Sequence, residues 1–358
     1  MDNGLECLLF RRDESAGYIA CVVVYSRCQV ASGDFHGGQG LKYVARRLSS
    51  VVPTLLLVSV MIFWLMRILP GDVATLILIG PEGTGQPTAT EVTELKELLG
   101  LDKPMVVQWA DWMLGMMKLD VGPSLWSGEP VFQELFRRLP LTIELGVMAT
   151  TTSLLIAIPM GIIAAVKRGS WMDYASRVFV LGGLSIPSFW VSVLTILALV
   201  TYFNWTPPLG YVALTKDPFV NFQQLIWAAL ALGYIQAALV ARMTRSSLLE
   251  VMREDYIRTA RAKGVRDRNV VIKHALKNSM LPVVTVVGIG MANIIGGTVI
   301  LETLWSLPGV GRFMVDAINH RDYPVVQTLT FIFALIFAVT NLAVDLVYGV
   351  LDPRIRLD

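Results

Sequence analysis

The chain has 358 residues, of which 54% are hydrophobic and 16% charged, where soluble domains carry about 25% charge. Its net charge of +2 argues against a nucleic-acid partner, whose affinity would come from many Lys and Arg on one face. Cys7, Cys21 and Cys28 make neither a disulfide framework nor a zinc spacing, and His36, His274 and His320 are too scattered for a metal or catalytic cluster. No catalytic residue and no metal ligand is assigned.

The first 40 residues hold an apolar run, 19–25, that is too short to span a bilayer. His36, Gly37, Gly38 and Gly40 read as linker. Residues 1–40 are expected to be disordered or a non-native extension, and 41–358 to form one transmembrane domain. A membrane helix needs roughly 20 mostly apolar residues. Six stretches qualify: 51–69, 141–166, 178–203, 222–241, 280–304 and 325–351. The fold class is therefore all-α and polytopic, with about six transmembrane helices.

Cations orient these spans. Lys42, Arg46 and Arg47 precede the first, and Lys167, Arg168 and Arg177 separate the second from the third. Residues 242–277 are rich in Arg and Lys, and Arg354 and Arg356 close the chain. The positive-inside rule puts both termini in the cytoplasm. The segment 70–139 is then external. Within it, Thr88 and Glu91 have capping-box spacing before Val92, Leu95, Leu98 and Leu99, and Gly100 can stop that helix. A second amphipathic stretch, 105–117, carries Trp109 and Trp112. Both helices fit either the outer membrane face or a small soluble cap.

Pro159 and Pro187 fall inside the second and third spans and can kink them. Glu144, Glu302, Asn341 and Asp345 are polar at membrane depth, where charges face protein or water. On the fifth span Gly288, Ala292 and Gly296 recur every four residues, with Asn293 and Gly297 beside them. That spacing permits close helix packing, either within one subunit or at an interface lining a path.

The cytoplasmic loop 242–282 is too polar for lipid and too patterned for a linker. From Leu249, Met252, Tyr256 and Ala260 follow on one face up to Gly264, which can end the helix; Arg253, Arg258, Arg261 and Lys263 occupy other faces. Pro282 is expected at the start of the next span. A short basic amphipathic helix suits a groove on another protein, or an anionic lipid surface.

The run Asp255-Tyr256-Ile257-Arg258-Thr259-Ala260-Arg261-Ala262-Lys263-Gly264 resembles the EAA loop of ABC importer permeases. Followed by His274-Ala275-Leu276-Lys277-Asn278-Ser279-Met280-Leu281-Pro282, it is similar to the dipeptide and oligopeptide branch. Leu69-Pro70-Gly71-Asp72, Arg242-Met243-Thr244-Arg245-Ser246-Ser247, Pro308-Gly309-Val310-Gly311-Arg312 and Asp352-Pro353-Arg354-Ile355 agree. The resemblance covers Leu41 to the end.

It implies a type I ABC importer permease of the bacterial cytoplasmic membrane. Such a subunit has no ATPase site of its own and couples to one through Glu254, Asp255, Tyr256, Arg258, Thr259, Ala260, Arg261, Lys263 and Gly264. The implied partners are a second homologous permease, two ATP-binding subunits that hold ATP and Mg, and an external binding protein. This chain itself implies no cofactor. Gly288, Ala292, Asn293, Gly296 and Glu302 are candidates for the path. The implied cargo is a dipeptide or oligopeptide, with glutathione, haem or nickel as alternatives. Agreeing with this, no Gly-Lys dipeptide and hence no Walker A loop occurs. An intramembrane protease is the competing class; HExxH is absent and the histidines lie outside the apolar cores.

Overall fold

The computed structural model of the chain describes residues 39–68, 73–79, 85, 87–98, 100–206, 208 and 210–351. The expectations for residues 1–38, for Leu69-Pro70-Gly71-Asp72 and for Asp352 onward lie outside that range. Among the described residues the regular structure is helical, apart from one isolated bridge between Pro123 and Pro130. In chain order the helices are α1 Gln39–Ile68, α2 Val73–Ile79, α3 Ala89–Leu98, α4 Met105–Lys118, α5 Val131–Val166, α6 Trp171–Ser185 and α7 Ser188–Phe203. Then come α8 Pro218–Val251, α9 Asp255–Ala262, α10 Asp267–Asn269, a π-helical stretch Val270–Ala275, α11 Leu276–Leu304, α12 Val310–Asn319 and α13 Tyr323–Leu351.

Among the described residues, five helices are long and apolar enough to cross a membrane, or six if the bent pair α6–α7 counts as one span. That pair corrects the sequence expectation of a continuous third span. α6 and α7 meet at 107°. Pro187 has no N–H to give to a helix and pushes the residue before it into extended backbone. Ile186 accordingly sits at φ −102°, ψ 123°. A kink was foreseen there; the outcome is a break. Pro159 differs. It lies within α5, which continues unbroken from Val131 to Val166.

The bundle is organised around α5 and α8, which pack along their length. Small residues make this possible. A Cβ on Gly161 would meet the Thr244 Cβ at 2.7 Å, and one on Gly233 would meet the Ala149 carbonyl oxygen at 2.5 Å. α8 starts where Asp217 accepts hydrogen bonds from the backbone N–H groups of Phe219 (3.0 Å) and Val220 (3.1 Å), with Pro218 at the first helical position. That is the N-terminal chemistry helices favour. Leu141, Leu145, Leu225, Leu232, Leu301 and Trp305 form the central apolar cluster.

At the end of the bundle away from α9, α4 lies against α1 and α13, with Trp112, Met116, Ile62 and Phe331 in one cluster. α3 begins with the expected capping box: the Thr88 N–H donates to Glu91 Oε2 (2.8 Å) and the Glu91 N–H to Thr88 Oγ1 (3.4 Å). Gly100, at φ +64°, closes the helix as expected. Glu144 holds the loop before α8, accepting from the Tyr211 hydroxyl (2.7 Å) and from Asn221 Nδ2 (3.2 Å).

Candidate functional site

The loop between α8 and α11 was expected to carry one helix from Leu249 to Gly264. It carries two helices separated by a turn at Met252–Glu254. α8 runs on to Val251, and α9 starts afresh at Asp255. Glu254 is extended at φ −64°, ψ 148°, and its carbonyl accepts from the N–H groups of Ile257 (3.1 Å) and Arg258 (3.3 Å). Leu249, Met252 and Ala260 of the predicted face do pack against the apolar cluster at this end of the bundle, but the turn resets the helical register of α9. Its anchor is Ile257, fully buried, with Ala260 partly buried beside it. Tyr256 is 41% exposed.

Ile257 enters a basin built from Ala165 at the end of α5, Leu248 near the end of α8, and Val270, Val271 and Ala275 of the π-helical stretch. Burying one Ile side chain is worth about 1.5–3 kcal/mol, enough to seat an eight-residue helix that is too short to persist alone. Polar contacts add to this. Asn278 Nδ2 donates to the Tyr256 hydroxyl at 2.8 Å, and Thr259 Oγ1 donates to the Asp255 carbonyl at 3.0 Å. Arg261 pairs with Asp267 at 3.3 Å. Gly264, at φ +75°, ends the helix.

Everything else on α9 points outward. Glu254, Asp255, Arg258, Thr259, Arg261, Lys263 and Gly264 are exposed. The ion pair between Arg258 and Asp255 (3.3 Å) joins side chains that are 73% and 94% exposed, a surface contact worth little to stability. The helix therefore has an apolar side committed to the transmembrane helices and a charged, exposed side whose ion pairs, Arg258–Asp255 and Arg261–Asp267, stay at the surface.

A buried ion-pair network ties α6 to the same end of the bundle. Asp173, fully buried, accepts from Arg245 Nε of α8 at 2.7 Å, from Arg177 Nη2 at 2.9 Å and from the Gly169 N–H at 3.0 Å. Sequence reading noted Arg245 only within a motif and passed over Asp173. A single acid in a helix's first turn carries no signal until its partner in α8 is known.

Pro282, expected at the start of the fifth span, lies inside α11, which begins at Leu276 and continues from the π-helical stretch. The candidate path residues of α11 separate into groups. Gly288 is buried against Val344 of α13, a contact within this subunit, and Ala292 is also buried. Asn293 and Gly296 are exposed. Glu302 is fully buried, accepting from Thr142 Oγ1 (2.7 Å) and from the Arg312 N–H (3.0 Å). Thr142 in turn accepts from the Val310 N–H at 2.9 Å. Glu302 thus fixes the turn between α11 and α12 against α5. Asn341 is half-buried on α13, and the side chain of Asp345 lies outside those described. Among the described residues no three His, Cys, Asp or Glu converge as a metal site.

The pattern of the family described as binding-protein-dependent transport system inner membrane component matches residues 157–357, and that of its N-terminal membrane component matches 40–146. The chain is 40% identical to the dipeptide transport system permease protein DppB of Escherichia coli strain K12, covering 88% of this chain and 99% of that protein. It is 38% identical to the protein of the same name from Alkalihalophilus pseudofirmus, over the same shares of each. A solved inward-facing structure of the MetNI methionine ABC transporter overlaps 61% of this chain and 96% of that one, with 18% identity and a TM-score of 0.49.

Proposed function

We propose, from the premise that this chain belongs to the binding-protein-dependent transport system inner membrane component family, that it is the permease subunit of an ATP-driven peptide importer of the cytoplasmic membrane. The cargo follows its relatives, which are named as dipeptide transport permeases. Both termini are assigned to the cytoplasm by the cations that flank the spans. A zwitterionic peptide cannot cross hydrocarbon unaided, so the spans must offer a polar route that opens on one side at a time. An external binding protein delivers the peptide, and a second permease completes the route. Two ATP-binding subunits, which hold ATP and Mg, supply the work.

The observation that carries this reading is α9: a helix seated by Ile257, with its charged side exposed. A pull on that side bears on Ala165, Leu248 and Val270, and so on α5, α8 and the helix leading to α11. Asp173 and Arg245 extend the connection to α6. Asn293 and Gly296, exposed on α11, are the residues of this chain best placed to line the route.

Purification of the full complex tests the docking face. Arg258→Glu or Arg261→Glu is expected to weaken association with the ATP-binding subunits by about tenfold, the effect of reversing a charge at an interface edge. Unchanged association would remove α9 as the docking element. Uptake with the binding protein loaded in turn with dipeptide, glutathione, haem or nickel tests the cargo, and dipeptide is the one expected to accumulate.

A further inference from the structure

The contacts of α4 with the outer turns of two spans fix its depth. Gln108 Oε1 accepts from Arg67 Nε (3.2 Å) and Nη2 (2.8 Å), one residue before the end of α1. The next residue, Trp109, donates from Nε1 to Ser59 Oγ at 3.2 Å. Ser59 stands nine residues before Ile68 in α1, about 13 Å further into the membrane at 1.5 Å per residue. Trp112 meets the Phe331 ring edge-on at 5.9 Å. Phe331 is eight residues past Tyr323, the first of α13, and so about 12 Å from its outer end. α4 therefore packs within the length of α1 and α13 and not above them.

The sides of α4 sort by polarity along the same direction. Gln108 Nε2 donates to the carbonyls of Leu101 (3.1 Å) and Lys103 (2.8 Å), and Asp111 pairs with Lys103 at 2.9 Å. These contacts turn the polar side toward the outer loop. Lys118, exposed, is seven residues from Asp111 and lies on the same side. At 100° per residue, Val106 and Met117 fall on the side of Trp109, roughly opposite Gln108. Val106 is 70% exposed and Met117 80%, with Leu114 exposed beside them. The apolar side thus faces the membrane interior, and in this chain it is bare. It continues into a strip of α1 at similar depth, where Leu57, Met61, Leu65 and Ile68 are also exposed.

We propose that α4 is an interfacial helix whose apolar side, Val106, Leu114 and Met117, lies among the acyl chains of the outer leaflet. Its depth, its continuity with the exposed strip of α1 and the confinement of charge to its outward side are those of an amphipathic helix lying in the membrane plane. Of the two placements that the sequence allows, membrane face and soluble cap, this is the first. It requires only that α1 and α13 span the membrane and is independent of the cargo.

The test places a nitroxide at Val106→Cys, Met117→Cys or Asp111→Cys in the full-length chain with Cys7, Cys21 and Cys28 replaced by Ser. The permease complex is reconstituted in vesicles of phosphatidylethanolamine and phosphatidylglycerol, and collisions with oxygen and with a water-soluble nickel chelate are measured. Oxygen collisions should exceed nickel collisions at positions 106 and 117, with the labels about 5–10 Å below the phosphates, and the ratio should invert at 111. Nickel access at 106 and 117 equal to that at 111 would mean a water-exposed cap and would overturn the proposal. Low access to both reagents at 106 and 117 would mean that a second permease or the binding protein covers the face, and would overturn it equally.

Discussion

At Gly264 the backbone holds φ +75°, and a Cβ placed there would meet nothing within 4 Å. The cost of a side chain is therefore conformational, about 1–2 kcal/mol for an L-residue in the left-handed region, and local room is not the constraint. The residue is also exposed at the outward end of α9. Gly264→Ala should reduce uptake modestly and Gly264→Trp should abolish it, with both proteins reaching the membrane in normal amount. Equal uptake by the Trp variant and the parent would mean that nothing docks there. Ile257 acts from the other side of the helix. Ile257→Ala leaves a cavity at a cost of about 2–5 kcal/mol, drawn from the seating of α9 and not from the spans. Expected in proteoliposomes is ATP hydrolysis that persists while uptake falls at least tenfold, and tight coupling in that variant would contradict the seating role.

The sequence motif marked Glu254, Asp255, Arg258, Thr259, Arg261, Lys263 and Gly264, which are exposed, together with Ala260, which packs inward, and it hid the anchor, Ile257. Tyr256 and Ala260 were aligned with Leu249 and Met252 as one face, which assumes an unbroken helix. No Pro or Gly marks the turn at Met252–Glu254, so periodicity had no reason to stop there. Asn278 likewise stood in a recognisable string without a role, because its partner Tyr256 is 22 positions away and meets it only through the fold.

Among the elements, the long spans were legible because lipid and core both demand unbroken apolar length. Their ends were not. α5 begins at Val131, ten residues before the apolar run, with Glu134 buried against Arg137 and, at 2.5 Å, Arg138. α8 overruns its apolar stretch at both ends. Charged turns of helix continue past the bilayer, and hydropathy alone cannot follow them. Pro187 shows the reverse case: the apolar run continues through it while the helix does not.

The Thr88–Glu91 capping box was legible in full, since its two residues lie three apart and their reciprocal bonds are local. Hydrogen bonds from the Thr88 N–H and hydroxyl hold the Glu91 carboxyl below the usual carboxylate range. A carboxyl lowered on folding stabilises above its ordinary pKa, and that contribution fades as pH falls through the lowered value. Amide exchange in the first turn of α3, corrected for intrinsic rate, should therefore stay flat from neutral pH down to the ordinary carboxylate range and rise below it. Glu91→Gln should show no such step. A step of equal size in the Gln variant would assign it to another group.

At the scale of the whole molecule, the two ends of the bundle are built differently. One end gathers α9, the π-helical stretch and the Asp173–Arg245 pair into a single connected body, so that force applied to α9 reaches four helices. The other end packs α4 against α1 and α13 around Trp112 and Phe331. An importer needs this asymmetry, with a motor engaged on one side and a delivery partner on the other. The most direct test is one introduced thiol, Arg258→Cys, in a chain whose Cys7, Cys21 and Cys28 are replaced by Ser. A membrane-impermeant maleimide should label it only in inside-out vesicles, and the assembled ATP-binding subunits should protect it. Labelling from the outer face, or labelling unchanged by those subunits, would contradict the account.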